Sequence, residues 1–358
     1  MRTKPVIAPI LIMACCGIAG AALKLKDIPI RDPFILAEAG TGTYYLYANA
    51  RSSETGLGRG GLKAYTSRDL ENWEGPKVVF VVPEDFWAAP SGAGAPEVHA
   101  YNGRYYIFAS FHNDSRIISE FPKSWRTVTL GATQIMAGDS PEGPFKPFEN
   151  RPPTPLDFRT LDGTLYVEDG VPYFVYVHEW LQIIDGTMEA LPLKPDLSAA
   201  AGEPFHLFKA SDAPWVAGMP LPVATAPRRY VTDGPCLYKT KTGTLLMLWS
   251  GRKEGRFPHT ILPAAGPGLT VRWSEYKDGT YVQALARSRT GKLRGPWEQL
   301  DPLLADDSGH GMVFRTFEGK LMLIVHSPDR EPLGLPQGRP RLFELEDTGD
   351  SIRIIKEL

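Results

Sequence analysis

The sequence predicts an all-β chain folded as a five-bladed β-propeller, and three observations carry that prediction. One hairpin pattern is written five times along the chain. A second phrase recurs in the outer half of the units. No stretch sustains helical periodicity beyond short candidates such as residues 192–201. The 35 Gly and 33 Pro fit a protein of many turns rather than long helices.

The hairpin is clearest from Asp162. An apolar strand to Val167 is followed by the Asp169-Gly170 turn and the aromatic-rich strand Tyr173 to Val177. An Asp-Gly pair between such runs is a strong hairpin signal. The other copies are Asp32-Pro33-Phe34 before Tyr44-Tyr45-Leu46-Tyr47, Pro96-Glu97-Val98 before Tyr105-Tyr106-Ile107, Asp233-Gly234-Pro235 before Leu245-Leu246-Met247, and Gly309-His310-Gly311 before Leu321-Met322-Leu323. Each opens on an ionisable residue: Asp32, Glu97, Asp162, Asp233, His310. The steps are roughly 65, 65, 71 and 77 residues, matched to one four-stranded blade with its loops. The second phrase is Trp73-Glu74-Gly75-Pro76, then Glu142-Gly143-Pro144-Phe145, then Arg294-Gly295-Pro296-Trp297, with a looser Gly202-Glu203-Pro204-Phe205.

In a propeller the first strand of each blade lines the central channel, so the five strand starts converge at one end of it. A single Asp before a strand is ordinarily a turn residue. Five ionisable groups at equivalent repeat positions describe a pocket, because clustered carboxylates repel and need a function or an ion to offset that cost.

With 358 residues, 43% apolar, 22% charged and a net charge of −2, the chain lacks the basic balance that nucleic acid or a membrane surface would select. Nothing in it argues for an oligomer, and a monomer is expected. The first 22 residues stand apart: a basic start at Arg2 and Lys4, an apolar or small run from residue 6 to 22, and Ala19-Gly20-Ala21 as a cleavage site. A secretory signal peptide is expected, leaving residues 23–358 as one propeller domain in a secreted or periplasmic protein. The alternative is a lipoprotein-type site at Ile12-Met13-Ala14-Cys15, with Cys15 carrying a lipid anchor. Cys15 and Cys16 go with this segment, so Cys236 has no partner for a disulfide.

Three other stretches carry polar groups toward a pocket. His178-Glu179-Trp180 ends the second strand of the third unit, where Glu179 either faces the pocket or closes an ordinary strand. The stretch 251–279 holds Arg252, Arg256, His259, Arg272 and Trp273, and is either a binding loop or a solvated one. The Gly-rich stretch 51–61 lacks the partners of a phosphate loop and reads as a hairpin connection.

Taken in order, Arg-Asp-Pro-Phe, Ala-Pro-Glu-Val with Gly-Arg-Tyr-Tyr, Leu-Asp-Gly, Asp-Gly-Pro and Gly-His-Gly resemble glycoside hydrolase family 43. The likeness covers nearly the whole chain after the leader. It implies a five-bladed propeller that cleaves arabinofuranosyl or xylosyl linkages with inversion, acting on an oligosaccharide or polysaccharide. Carried over by position, Asp32 matches the general base, Asp162 the aspartate that orients and tunes the acid, and Asp233 the slot of the general acid. His310 matches a histidine near the channel that in several members accompanies a bound Ca2+ or other ion; no cofactor is otherwise required. One departure matters. The acid is a Glu in the family and an Asp here, shorter by one methylene, so Glu179 is the alternative acid, and loss of catalysis is the third outcome. Glu97 and the aromatics Phe34, Trp87, Trp180 and Trp249 are candidates for substrate contact, each aromatic otherwise being core. Rival readings are a non-catalytic sugar-binding propeller, an interaction scaffold around a channel ion, and a neighbouring propeller glycosidase acting on algal galactans. A sialidase is disfavoured, since neither its Asp-box repeats nor an arginine triad is present.

Overall fold

The computed structural model describes residues 22–89, 92–120, 126–218, 228–254, 279–329 and 338–358. Among them, strands dominate and form five antiparallel blades, two of which join in one eight-stranded sheet through a single parallel pairing of Thr160 with Ala132. A short β1 (Leu23–Lys24) precedes blade 1, which holds β2 (Phe34–Glu38), β3 (Thr43–Ala50), β4 (Gly61–Ser67) and β5 (Asn72–Val81). Blade 2 is β6 (Ala93–Tyr101), β7 (Arg104–Ser119), β8 (Val128–Gly138) and β9 (Lys146–Pro147). Blade 3 is β10 (Thr160–Glu168), β11 (Val171–His178), β12 (Thr187–Pro192) and β13 (Phe205–Lys209). Blade 4 is β14 (Asp233–Lys239), β15 (Leu245–Lys253), β16 (Thr280–Ser288) and β17 (Glu298–Gln299). Blade 5 is β18 (Gly309–Arg315), β19 (Leu321–Ser327), β20 (Arg339–Asp347) and β21 (Ile352–Glu357). The innermost strands β2, β6, β10, β14 and β18 each contact the next, and β18 returns to β2, which closes the ring.

Burial follows from this stacking. The central residues of each blade's second strand are covered on both faces by neighbouring blades and are largely apolar, as in Leu245-Leu246-Met247-Leu248-Trp249. The outer strand β21 keeps one face in water, with Ile352 buried and Arg353, Lys356 and Glu357 solvated or partly so. The Asp-Gly hairpin takes the turn its residues favour: Asp169 and Gly170 have φ of 51° and 81°. Residues 192–201, a helix candidate by periodicity, form instead a tight turn closed by the Lys194 N–H to the Ala199 carbonyl and a Leu193–Ala200 bridge. A left-handed Leu197 inside it is incompatible with a helix.

One strand runs further than the sequence predicts. β15 continues through Arg252 to Lys253 and pairs with the start of β16, so Arg252 belongs to a strand. Arg256, His259, Arg272 and Trp273 lie outside the described residues, as do Cys15, Cys16 and all but the last residue of the expected leader. Cys236 is a buried free thiol.

Among the described residues, no blade interleaves strands from the two ends of the chain. β1 pairs with β5 of its own blade, at Leu23–Trp73 and Lys24–Asn72. The seam between blades 5 and 1 is closed by the Ile30 N–H to the Gly338 carbonyl at 2.9 Å and by the Arg31 guanidinium on Asp329 at 2.8 Å.

Candidate active site

One backbone device recurs at the channel mouth. Asp32, Ala95, Asp162, Gly234 and His310 all take left-handed φ, of 50°, 43°, 52°, 48° and 49°. In blades 2 to 5 these residues sit in a register shift between the first and second strands. A bulge of this kind re-aims a side chain. It turns Asp32, Asp162 and His310 toward the channel axis. Its cost for residues with a Cβ is of order 1 kcal/mol each, so it persists only where surrounding contacts hold it.

The device also corrects the repeat register. The position equivalent to Asp32 is Ala95 in blade 2, two residues before Glu97, and Gly234 in blade 4, one residue after Asp233. Glu97 is consequently aimed lower in the channel, where it is buried against His99 Nε2 at 3.0 Å and lines neither cavity at the mouth. Gly234 has to be glycine: a Cβ there would stand 2.7 Å from the His310 ring.

A cavity of about 170 Å³ gathers Asp32, Asp162, Asp233, Glu179, Trp180 and His310, with Arg31 on its rim. A second, of about 210 Å³, shares Arg31 and Asp32 and opens toward Asn49, Gly94 and Ala95. His310 Nδ1 lies 3.1 Å from Asp32 Oδ1 and 3.3 Å from Asp233 Oδ1. Tyr281 donates its hydroxyl to Asp233 Oδ2 at 2.6 Å. Asp162 is fixed by its own N–H to Ser110 Oγ at 2.9 Å, and the next N–H, of Gly163, goes to Thr133 Oγ1. Glu179 follows β11 directly and accepts from Arg159 Nε, whose other nitrogens reach the Thr129 carbonyl and His112 Nδ1.

The charges sort themselves. Burial alone would strip the proton from His310, but Asp32 and Asp233 outweigh it and hold the imidazole well above its ordinary pKa. For Asp233 burial is likewise overcome, by His310 and by hydrogen bonds from Asp162 and Tyr281, and its pKa is lowered. Asp162 goes the other way: burial and the adjacent Asp233 charge push it well above the carboxylate range. Two carboxyls in contact cannot both ionise, and the proton stays on Asp162. Glu179 is also raised, by burial and by Asp233, against the opposing pull of Arg159.

Asp162, Asp233 and His310 bring one ligand atom each to within 4.8 Å of one another, a grouping that could hold an ion. A histidine ligand has to be neutral, so an ion held here would have to displace the proton that Asp32 and Asp233 keep on His310. The imidazolium already supplies the cation.

The aromatic candidates divide. Trp180 lines the cavity, with the Arg229 guanidinium 5.0 Å from its ring. Trp249 is fully buried between blades against Trp215 and Phe208, so it is core and cannot reach a ligand. Phe34 is buried in the channel edge-on to His99, and Trp87 packs on Phe86 and Phe111 with its indole N–H on Gln134; neither lines the two cavities. Sequence reasoning missed Arg159, Tyr281 and His326. Aligning the second strands of the hairpins would have found His326, which occupies the register position of Ser110 and Ser250.

Comparison with known proteins follows this geometry. The chain is similar to the endo-arabinase from Bacteroides thetaiotaomicron VPI-5482, with 31% identity, 94% of this chain and 98% of that one covered, and a TM-score of 0.72. It shares its fold with the endo-1,4-beta-xylanase from Bacteroides thetaiotaomicron VPI-5482 (19% identity, 92% and 95% covered, TM-score 0.62). It shares it also with the alpha-L-arabinofuranosidase from Lactobacillus brevis (16% identity, 90% and 94% covered, TM-score 0.63). A search of curated proteins returned no match. The sequence model of glycosyl hydrolases family 43 matches residues 28–344, and the chain belongs to that family: it is a glycoside hydrolase built on a five-bladed β-propeller.

Proposed function

We propose that the enzyme hydrolyses arabinofuranosyl- or xylosyl-containing oligosaccharides or polysaccharides with inversion, with Asp32 as general base and Glu179 as general acid. The likeness to an endo-arabinase at 31% identity supports arabinan as the first substrate to try. One observation carries the assignment of the acid. Glu179 keeps a raised pKa on the wall of the cavity that also holds Asp32, whereas the Asp233 pKa is lowered by His310 and Tyr281.

Geometry points the same way. Asp32 and Asp233 place oxygens on a single nitrogen at 3.1 and 3.3 Å, so those oxygens are at most about 6.4 Å apart. An inverting pair is separated by about 6.5–9.5 Å, which leaves room for a water beside the anomeric carbon. Glu179 approaches from blade 3, not adjacent to the blade of Asp32. In the step itself, Asp32 takes a proton from water as its oxygen attacks the anomeric carbon. Glu179 gives its proton to the glycosidic oxygen as that bond breaks. Asp162, neutral, can donate its O–H to Asp233 or to a sugar hydroxyl. Asp233 balances the His310 charge between acid and base.

The test is kinetic. Asp32→Asn should lose activity on every aryl α-L-arabinofuranoside, β-D-xyloside or β-D-galactofuranoside that the wild type cleaves. Glu179→Gln should lose roughly 10²–10⁴-fold on arabinan yet far less on a dinitrophenyl glycoside, whose leaving group needs no proton. Equal loss of both substrates in Glu179→Gln, with the selective loss appearing in Asp233→Asn, would return the acid to Asp233. Proton NMR of the first-formed anomer checks inversion. For residues 1–22 we propose a cleaved leader, supported by their basic start and apolar run; a mature mass that retains them would refute it.

A further inference from the structure

The left-handed residues at the channel mouth need something to hold them, and three of the blades show what does so. The Asp162 N–H donates to Ser110 Oγ of the preceding blade at 2.9 Å. The His310 N–H donates to Ser250 Oγ of the preceding blade at 2.8 Å. The Asp32 N–H donates to His326 Nδ1 of blade 5 at 3.2 Å. Ser110, Ser250 and His326 pair with Gly94, Asp233 and Gly309, each the residue just before its blade's own left-handed position. The acceptor is thus the same architectural element in each case, but a hydroxyl in two blades and an imidazole where the held residue is Asp32.

The imidazole is fully buried and its surroundings fix its orientation. A ring nitrogen that accepts an N–H carries no hydrogen, so the hydrogen of a neutral His326 sits on Nε2. That atom faces Asp329 Oδ1 at 3.5 Å. Asp329 is buried and anchored in turn by Arg31 and Arg252. The ring lies along Tyr281, with centroids 5.7 Å apart and planes 24° from parallel, and Tyr281 holds Asp233. His326 therefore touches the backbone of Asp32 on one side and the residue that fixes Asp233 on the other.

We infer that His326, packed along Tyr281 and beside Asp329, is a positioning residue that holds the strained Asp32 backbone and so aims its carboxylate at the attacking water. This rests on Asp32 acting as the base. The role belongs to Nδ1 as an acceptor and not to the bulk of the ring, which separates it from plain packing.

Two substitutions make that separation. His326→Asn keeps an acceptor oxygen near the Nδ1 position, while His326→Leu fills similar space without one; both lose the ring contact with Tyr281. Amide hydrogen exchange of the segment holding Asp32, read by mass spectrometry, should show protection lost in the Leu variant and kept in the Asn variant. On an aryl α-L-arabinofuranoside, His326→Leu should lower kcat roughly 10- to 100-fold with KM within about threefold, because a displacement on the ångström scale at the reacting group suffices for that. His326→Asn should stay within about fivefold of wild-type kcat. Equal kcat losses in the two variants would assign His326 to packing and overturn the proposal. So would wild-type kcat, or unchanged protection, in a folded Leu variant. If the Leu variant does not fold, the Asn variant decides: a tenfold or greater fall in kcat at unchanged KM refutes the role. A wild type inert on this glycoside would fault the substrate reading alone, and the exchange difference would still decide whether the bracket exists.

Discussion

Glu179 has two neighbours that act on its proton in opposite senses. Burial and the Asp233 charge raise its pKa, and the Arg159 guanidinium lowers it. A general acid works only while protonated, so activity falls as pH rises through its pKa. Removing Arg159 removes the larger opposing influence, Arg126 being the lesser one, and the alkaline limb of kcat/KM should move to higher pH. Arg159→Met, which keeps much of the stem's packing, is the variant to compare with wild type across that limb. An alkaline limb that does not move would mean that Glu179 is not the group titrating there. His112 is a bystander in this range: burial and Arg159 push its pKa down to about 4, so it is neutral while the limb is recorded.

At the level of the strands, the same bulge that aims Asp162 and His310 at the channel mouth also demands close backbone packing beside it. Gly163 follows Asp162, and a Cβ there would meet the Phe174 ring at 1.8 Å. Phe174 is fully buried against Phe108 and Tyr176, so it has no free space to retreat into. Gly163→Ala should therefore cost about 1–3 kcal/mol, read as a lower urea midpoint at an unchanged m-value; an unshifted midpoint would show that the ring can move. This is also where reading the sequence met its limit. The blades were legible because apolar strands and Asp-Gly or Asn-Gly turns announce themselves locally. The register at the mouth was not, because a bulge adds one residue without a fixed sequence mark. Counting from the ionisable residue put Glu97 in a position that belongs to Ala95, and Asp233 in one that belongs to Gly234. Trp249 was ambiguous for a related reason: an indole in a strand buried on both faces looks the same in sequence as one at a cavity. Asp32, Asp162 and His310 were found because side-chain chemistry and backbone strain coincide there. Arg159 and Tyr281 act from neighbouring strands, which only the assembled ring brings near.

Among the described residues the ring closes without a shared strand, so its seam depends on the Ile30–Gly338 backbone bond and on side chains, and Asp329 serves several of these contacts at once. It is buried, yet it accepts from Arg31 and Arg252 and faces His326. Burial would raise its pKa, but these partners outweigh it and hold the carboxyl well below its ordinary range. A carboxylate with a depressed folded pKa contributes stability above its unfolded pKa, about 3.9, and loses that contribution as pH falls through the folded value. Asp329→Asn takes from buried Arg252 its hydrogen-bonded carboxylate and leaves it only Asp307, 4.0 Å away, so the loss should reach at most about 3–5 kcal/mol, the cost of a fully broken buried pair; Arg31, which is partly exposed, adds little to that figure. The deficit should be full at pH 7 and shrink progressively below about pH 4, where Asp329 of the unfolded wild-type chain begins to take up its proton while the folded carboxylate stays charged. Urea unfolding of both proteins across that window measures it. A deficit that stays constant with pH would mean that Asp329 closes the seam by shape and not by charge, and the electrostatic account of the blade 5 to blade 1 junction would have to be given up.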